Sequence, residues 1–510
     1  MWLEQIIKSL AFINQHPPIG HGFIEALDLR DACLSIQARG GRLLALWGSH
    51  DKKGAYPFAL HLAFVLEPQP GVIWLTVPLS EPQYPSIHDI FPSAGRMQRA
   101  VYDLAGIFAA NAADTRKWLR HGAWPETFFP LQGESPQDFP IGKDHYPFVG
   151  VEGDGVVEIP VGPVHAGTIE PGHFHFSVVG EKVLRLEERL GYKHKGIEKR
   201  FEGMDVFTGA KLAGRISGDS TVAYALSYAM AVESATKTHA PQRARWLRGL
   251  CLERERIMNH LGDLGALGND AGFAFGLSQF SRLKENMMRL NDALCGHRYL
   301  MDVIIPGGVA RDPGEKLKGA LQEIKILTEE VETLKGIYDD HAGLQDRFCG
   351  TGRLSSEMAT RLGITGLAAR ASGKSMDLRA DFPCPPYDQF KVRAASCAGG
   401  DVAARVAVRF AEIKESLRLC EAIIQNMPEG PIAAAIKAQK GMGAGIAEGW
   451  RGEVFFALTL DENGALQRVH AHDPSWQNWP ALEIAILDNI VPDFPLINKS
   501  FNLSYSGQDL

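Results

Sequence analysis

The spacing of hydrophobic and polar positions changes character along the chain. Near the start, LLALW (43–47), ALHLAFVLE (59–67) and GVIWLTVPL (71–79) are dense in β-branched and aromatic residues and predict successive strands. A Pro-rich turn separates the last two. The remainder of the first 65 residues mixes helical periodicity with short β-rich runs, and RMQRAVYDLAGIFA predicts a helix over 96–109. Residues 121–150 carry five prolines and four glycines with little periodicity, which is the composition of an interdomain connection. These patterns predict a small α+β domain over 1–130 and a linker over 131–150.

The rest, 151–510, reads as a large, mainly helical domain with peripheral β-hairpins, so the fold class of the whole chain is α+β. VVEIPVGPV (156–164) and HFHFSVVGEKVLRLEE (173–188) alternate as the arms of a hairpin about a turn at 166–172. From 196 onward the pattern is helical. Long amphipathic helices over 221–263 place Tyr224, Leu226, Tyr228, Met230 and Val232 largely inside, and helices recur at 277–301, 313–340 and 402–426. Glu253 and Glu255 beside Arg254 and Arg256 suit salt bridges within one helix. A second hairpin is predicted over 453–470 around Glu462-Asn463-Gly464. His472-Asp473-Pro474-Ser475-Trp476 and Asn478-Trp479-Pro480 read as an aromatic-rich turn.

Composition narrows the function classes. A chain of 510 residues exceeds one core and divides into two or three domains. Its formal charge of -7 argues against a broad nucleic-acid surface. No apolar run reaches the roughly 18 residues needed to span a bilayer, and the first 20 residues lack both a basic leader and a small-residue cleavage site. Membrane association is therefore expected to come through partners. The cysteines (Cys33, Cys251, Cys295, Cys349, Cys384, Cys397 and Cys420) contain no C-x-x-C pair and read as buried, reduced thiols. Neither a phosphate-binding P-loop nor a serine-hydrolase elbow occurs, and GMGAGIAEG (441–449) resembles a dinucleotide fingerprint only in glycine content.

Several stretches, in order, resemble the large subunit of energy-converting (group 4) [NiFe]-hydrogenases and its complex I counterpart, the 49 kDa subunit. They are Gly162-Pro163-Val164-His165, His194-Lys195-Gly196-Ile197-Glu198-Lys199, Glu255-Arg256-Ile257-Met258-Asn259-His260-Leu261, Ile305-Pro306-Gly307-Gly308-Val309, Arg370-Ala371-Ser372-Gly373 and Asp377-Leu378-Arg379. Glu448-Gly449-Trp450-Arg451-Gly452 stands in place of the family's glutamate–basic–glycine segment. The N-terminal part is similar to the 30 kDa complex I subunit through Arg99-Ala100-Val101-Tyr102-Asp103-Leu104-Ala105-Gly106-Ile107, with Ala100 where an acidic residue is usual. The resemblance implies a peripheral subunit at the cytoplasmic face of the inner membrane. Its implied partners are an iron–sulfur small subunit holding a [4Fe-4S] cluster, a ferredoxin-like 2[4Fe-4S] subunit, and antiporter-like and heel subunits of an ion-pumping membrane arm. No nucleic acid is among them.

A nickel–iron centre takes four thiolates, which the family supplies as two C-x-x-C pairs. Here Ser217 and Ser220 occupy the first pair of positions and Ser504 and Gly507 the second. A serine hydroxyl is a hard donor with a far higher pKa than a thiol. The chain also stops at Leu510, without the extension that hydrogenase precursors shed. The expectation is that this chain binds no cofactor and is not itself a hydrogenase, although it belongs to an oxidoreductase complex. The resemblance places the quinone-partner positions of complex I on Ile169 and Gly218, neither of which offers a polar side chain; His165, His173 or Asp219 could donate instead, or the histidines could serve local hydrogen bonds in the hairpin. It places Lys195 and His260 near the partner's cluster; the plainer alternatives are a solvated lysine and a core histidine. Glu198, Asp263, Asp270, Asp377 and Glu448 are proton-relay candidates if buried. No catalytic residue is assigned. Two roles remain: coupling electron transfer at the partner's cluster to the membrane arm, or quinone or small-molecule reduction in the vacated cavity.

Overall fold

A computed structural model describes residues 8–15, 17–51, 56–66, 71–133, 142–165 and 169–510. The first part is a five-stranded sheet of β1 (Lys8–Gln15), β2 (Pro18–Phe23), β3 (Arg42–His50), β4 (Phe58–Leu66) and β5 (Gly71–Leu79). Their spatial order is β1-β2-β5-β4-β3, with β2 and β5 parallel and the other neighbours antiparallel. β4 and β5 are buried almost throughout because both faces of the sheet are covered. Helices α1 (Leu29–Gln37) and α2 (Ala94–Ala105) share a core with Leu60, Leu62 and Phe64. On the other face, Trp47, Ala63, Val65 and Trp74 pack with Ala444, Ile446, Phe455 and Ala457 from the second part of the chain.

That second part holds two three-stranded sheets and long helices. β6 (Val156–Val161), β7 (His173–Val179) and β8 (Lys182–Arg189) form one antiparallel sheet; β9 (Gly441–Glu448), β10 (Glu453–Leu460) and β11 (Leu466–His472) form the other. The helices used below are α3 (Thr221–Thr236), α4 (Gln242–Asp270), α5 (Ala274–Cys295), α6 (Leu317–Asp340), α7 (Val402–Gln425), α8 (Ser475–Ala485) and α9 (Phe494–Phe501). The architecture is α+β, with a small sheet-centred first part and a larger helical second part. Among the described residues no helix is long and apolar enough to cross a membrane.

The strands expected at 43–47, 59–67 and 71–79 are present, although Glu67 and the Pro-rich turn at 68–70 lie outside the described residues. Residues 1–7 lie outside them too, as do 134–141 of the linker and 166–168 of the expected hairpin turn. Several expectations need correction. The helix predicted to reach 109 ends at Ala105, because Gly106 takes a left-handed φ of 68° as C-cap and Phe108–Ala110 pairs with Gln83–Pro85. The run 173–188 is two strands broken at Gly180-Glu181, so the hairpin is a three-stranded sheet. The glycine-rich run at 441–449 supplies β9, and the aromatic-rich turn is mostly helix, with Pro480 inside α8. Met230 is only half-buried, unlike Tyr224, Leu226, Tyr228 and Val232. Three of the seven cysteines are buried, and Cys349 is exposed.

Candidate functional site

Ser217 and Ser220 lie in the turn that leads into α3, and Ser504 caps the short terminal helix Tyr505–Asp509. The fold brings these distant segments together: the hydroxyls of Ser217 and Ser504 are 2.9 Å apart. Their donor order follows from their other partners. Ser217 Oγ donates to Asp219 Oδ1 at 2.8 Å, so its one proton is committed and it accepts from Ser504. Ser504 Oγ in turn accepts the Gly507 N–H at 2.9 Å. A one-way chain therefore runs from Gly507 through Ser504 and Ser217 to the Asp219 carboxylate.

Arg451 grips that carboxylate with both arms, at 2.8 and 2.6 Å, the bidentate geometry a guanidinium favours. Being crowded by protein pushes the Asp219 carboxyl up, but Arg451 and the Ser217 hydroxyl outweigh this and hold it at about 2. Ser220 Oγ accepts from Trp450 Nε1 at 3.0 Å and Arg451 Nη1 at 3.1 Å. At Gly507 a Cβ would stand 2.4 Å from Asp473 Oδ2 and 2.7 Å from the Tyr224 hydroxyl, so no side chain fits there. Tyr224 donates to that same Asp473 oxygen at 2.6 Å, and burial raises both the Asp473 carboxyl and the Tyr224 phenol. The four positions are thus packed with their own hydrogen-bonding groups. Gly218 alone faces outward, exposed and with nothing within 4 Å of where a Cβ would sit.

Beneath this lies a buried ion network between α4, α7 and β9. Glu412 is its hub, accepting from His260 Nε2 at 2.8 Å, Arg370 Nε at 2.8 Å and Arg256 at 3.3 Å. Burial works against the Glu412 charge, yet Arg370 and His260 hold its carboxyl well below the usual range. His260 is fully buried and lowered by burial, with Glu412 opposing. Arg370 also pairs with Glu448 at 2.9 Å, but there burial prevails and lifts the Glu448 carboxyl to about 7. Asp377 pairs with Arg379 at 2.6 Å, and Arg379 reaches Glu253 at 2.8 Å. Glu253 therefore links α4 across the network rather than serving only Arg256 within its helix. Glu255, unlike Glu253, makes no ion pair within the helix: it accepts the Val222 and Ala223 N–H groups at 2.6 and 3.1 Å at the start of α3, and burial raises it to about 8.

The remaining predicted residues are spread more widely. Glu198 is buried and bonded to Arg468 at 2.8 Å and His470 at 2.5 Å; burial raises its carboxyl, but these partners bring it down to about 2, which makes it a fixed anion rather than a proton carrier. Asp263 is held by Arg409 at 2.8 Å and Asn502 at 2.6 Å, whereas Asp270 sits at the exposed end of α4 and does not join the network. Lys195 is half-buried, its amine lowered by burial; its backbone N–H donates to the Leu510 carbonyl at 2.7 Å. Ile169 is exposed. His165 and His173 make local bonds to the Gly172 and Gly162 carbonyls, at 2.8 and 3.3 Å. Among the described residues no group of three or more His, Cys, Asp or Glu could hold a metal ion. Sequence reasoning missed Glu412, Glu255 and the Tyr224–Asp473 pair. Glu412 carries no motif, although its helix has several charged residues within a run otherwise rich in core positions.

Comparison with known proteins gives consistent relatives. The family "Respiratory-chain NADH dehydrogenase, 49 Kd subunit" matches residues 270–442, and "Respiratory-chain NADH dehydrogenase, 30 Kd subunit" matches residues 24–141. Formate hydrogenlyase subunit 5 of Escherichia coli (strain K12) is 30% identical over 490 residues, covering 92% of this chain and 85% of that protein. Hydrogenase-4 component G of the same organism is 30% identical over 484 residues, covering 92% and 84%. The carbon monoxide-induced hydrogenase of Rhodospirillum rubrum is 29% identical over 351 residues, covering 68% of this chain and 96% of its own. Among solved structures, a chain of the membrane-bound sulfane sulfur reductase, an archaeal respiratory membrane complex, superposes with a TM-score of 0.66 at 26% identity, covering 70% of this chain and 99% of that one.

Proposed function

The chain belongs to the family of formate hydrogenlyase subunit 5 and hydrogenase-4 component G, and we propose that it serves a membrane-bound redox complex of that kind as a peripheral coupling subunit without a nickel–iron centre. One observation carries the reading: the oriented chain from Gly507 through Ser504 and Ser217 to the Asp219–Arg451 pair occupies three of the four positions where the resemblance puts thiolates, and Trp450 and Arg451 bond the remaining one, Ser220. Three of those positions offer hard hydroxyl oxygens, which do not replace soft anionic sulfur. The fourth has no room for a side chain. The residues present therefore do not fit a nickel–iron group, and no step is routed through one.

What remains suits coupling. Lys195 and the terminal residues are tied together, with Asp509 accepting the Gly191 and Lys193 N–H groups at 2.8 Å each. A change of charge on a partner at the Lys195 face would thus act on the same terminal turn that holds Ser504. Behind it, the Glu448 carboxyl at about 7 supplies a group that takes up or releases a proton near neutral pH, beside the fixed charge of Glu412 that His260 and Arg370 hold. In this reading an iron–sulfur partner subunit supplies the electrons, and membrane-arm subunits hold the chain at the cytoplasmic face of the membrane. The test is metal analysis of the purified complex together with hydrogen–deuterium exchange on dihydrogen. No stoichiometric nickel and no exchange are expected; one nickel per polypeptide overturns the reading.

A second reading, reduction of a quinone or another small molecule, is favoured by the open ground at Gly218 and by the similarity to a chain of a sulfane sulfur reductase. Gly218→Trp separates the two. Filling that open ground would abolish reduction of a soluble quinone or polysulfide by the complex if that chemistry happens there, and would leave a purely coupling subunit's complex active.

A further inference from the structure

A cavity of about 410 Å³ opens between the end of α3, the first turns of α4 and the segment 384–387, with Phe12 and Ile13 of β1 on one side. That is the size of a small-molecule pocket. Leu226, Met230 and Pro385 give it apolar walls. The 384–387 wall is fixed close to α4, because Pro386 packs so tightly on Gly249 that a Cβ there would lie 2.5 Å from the proline ring.

Its charges do not cancel. Glu233 is the sole carboxylate among the described lining residues, and it is already committed: it pairs with Arg248 at 2.5 and 3.0 Å and accepts the Gly307 N–H at 2.7 Å. Lys237, His239 and Arg245 also line the cavity, and none of their side chains is hydrogen-bonded to, or paired with, a described residue. The Nε of Arg245 is buried and lacks an acceptor. A buried N–H without a protein partner is costly, so this one calls for an acceptor from the cavity, whether solvent or a ligand. Arg245 and Pro385 also border a smaller adjoining cavity of about 250 Å³, whose lining includes the Asp388 carboxylate; this offsets part of the positive charge but makes no ion pair with Arg245.

We propose that this cavity binds an organic carboxylate with an apolar body, its charged end on Arg245 and its tail against Leu226 and Met230. An inorganic anion would satisfy the guanidinium but leave the apolar walls in water. A neutral apolar molecule would cover the walls and leave the Arg245 Nε unpaired. An amphipathic anion does both.

The full chain titrated calorimetrically with octanoate, 1-octanol and inorganic phosphate tests this. Octanoate should bind saturably and at least about tenfold more tightly than either of the others, the scale expected of a charge-assisted hydrogen bond. Arg245→Gln should erase the preference for octanoate over octanol while the melting temperature stays near that of the parent chain. Met230→Trp, which fills the apolar side, should weaken both ligands. Equal binding of octanoate and octanol overturns the proposal. So does phosphate binding as tight as that of octanoate, or either substituted chain binding octanoate like the parent.

Discussion

Three buried glutamates show how far surroundings rather than residue type set proton affinity. Glu412 faces two guanidinium groups and an imidazole and is held low; Glu448 has a single close cation and sits at about 7; Glu255 has only two backbone N–H donors and rises to about 8. For Glu255 the linkage has an unusual sign. Its folded-state value lies above the unfolded one of about 4.3, so the folded chain binds more protons between those limits. The stability it contributes is present at low pH and falls as pH rises from about 4.3 through about 8, by at most about 1.4 kcal/mol per pH unit. Glu198 runs the other way: held at about 2, it contributes fully above its unfolded value and is lost only in strong acid. Glu255→Gln keeps an acceptor for α3 without the charge. The loss of melting temperature between about pH 5 and 8 should therefore be shallower in that variant than in the parent, as followed by calorimetry. Identical slopes would show that Glu255 does not titrate in this window.

At the scale of elements, the most informative run is the one that looked like a failed nucleotide fingerprint. Gly441, Gly443 and Gly445 alternate along β9, and a Cβ at each would come 2.2 Å from the carbonyls of Ala235, Ala231 and Ser227. The strand lies directly on the backbone of α3, so these glycines mark a close approach of two elements, not a phosphate loop. Gly443→Ala or Gly445→Ala should destabilise the chain by about 1–3 kcal/mol, the cost typical of overpacking. Gly336→Ala on the exposed face of α6, where a Cβ meets nothing within 4 Å, should instead stabilise by up to about 1 kcal/mol. Urea midpoints of the variants check both signs, and a harmless change at Gly443 would refute the packing account. This case also shows what was legible. Strands of mixed apolar character such as β3 to β5, and helices with a clear period such as α6, whose buried Ala320, Ile324, Leu327, Val331 and Leu334 recur every three or four residues, follow from the pattern. β9 does not, because its alternate positions are empty and carry no hydrophobic signal. The site was visible only through family motifs: nothing in composition joins Ser217 to Ser504, 287 positions apart. Glu412 stayed hidden because its role depends on three partners from two other segments, His260 and Arg256 of α4 and Arg370.

For the whole molecule, the question is whether the two parts are neighbours or one body. Trp47 of the first sheet stacks on His470 of the second part, with ring centroids 4.5 Å apart and planes 5° from parallel. Arg468 donates to the Gly48 carbonyl at 2.8 Å and Gln477 to the Leu44 carbonyl at 2.5 Å. Arg96 of α2 pairs with Glu188 at 2.9 Å and Glu483 at 2.7 Å, while the face of the five-stranded sheet shares its apolar core with β9 and β10. Beyond the undescribed stretch, the chain returns along the same junction: Tyr146 accepts from Arg99 at 2.8 Å, and the Val149 N–H donates to Glu187 at 2.9 Å. The covalent link through 134–141 therefore adds proximity but supplies none of these contacts. Since the carbon monoxide-induced hydrogenase of Rhodospirillum rubrum fits 96% of its length within 68% of this chain, a large part of the architecture is used without the remainder. Residues 1–133 and 142–510 produced together as two polypeptides should associate and elute as one species on size-exclusion chromatography. Because apolar surface and buried pairs hold the junction, they should stay together in about 0.5 M salt, where exposed ion pairs are largely screened. Separation at low salt would mean that the linker, not the interface, unites the two parts.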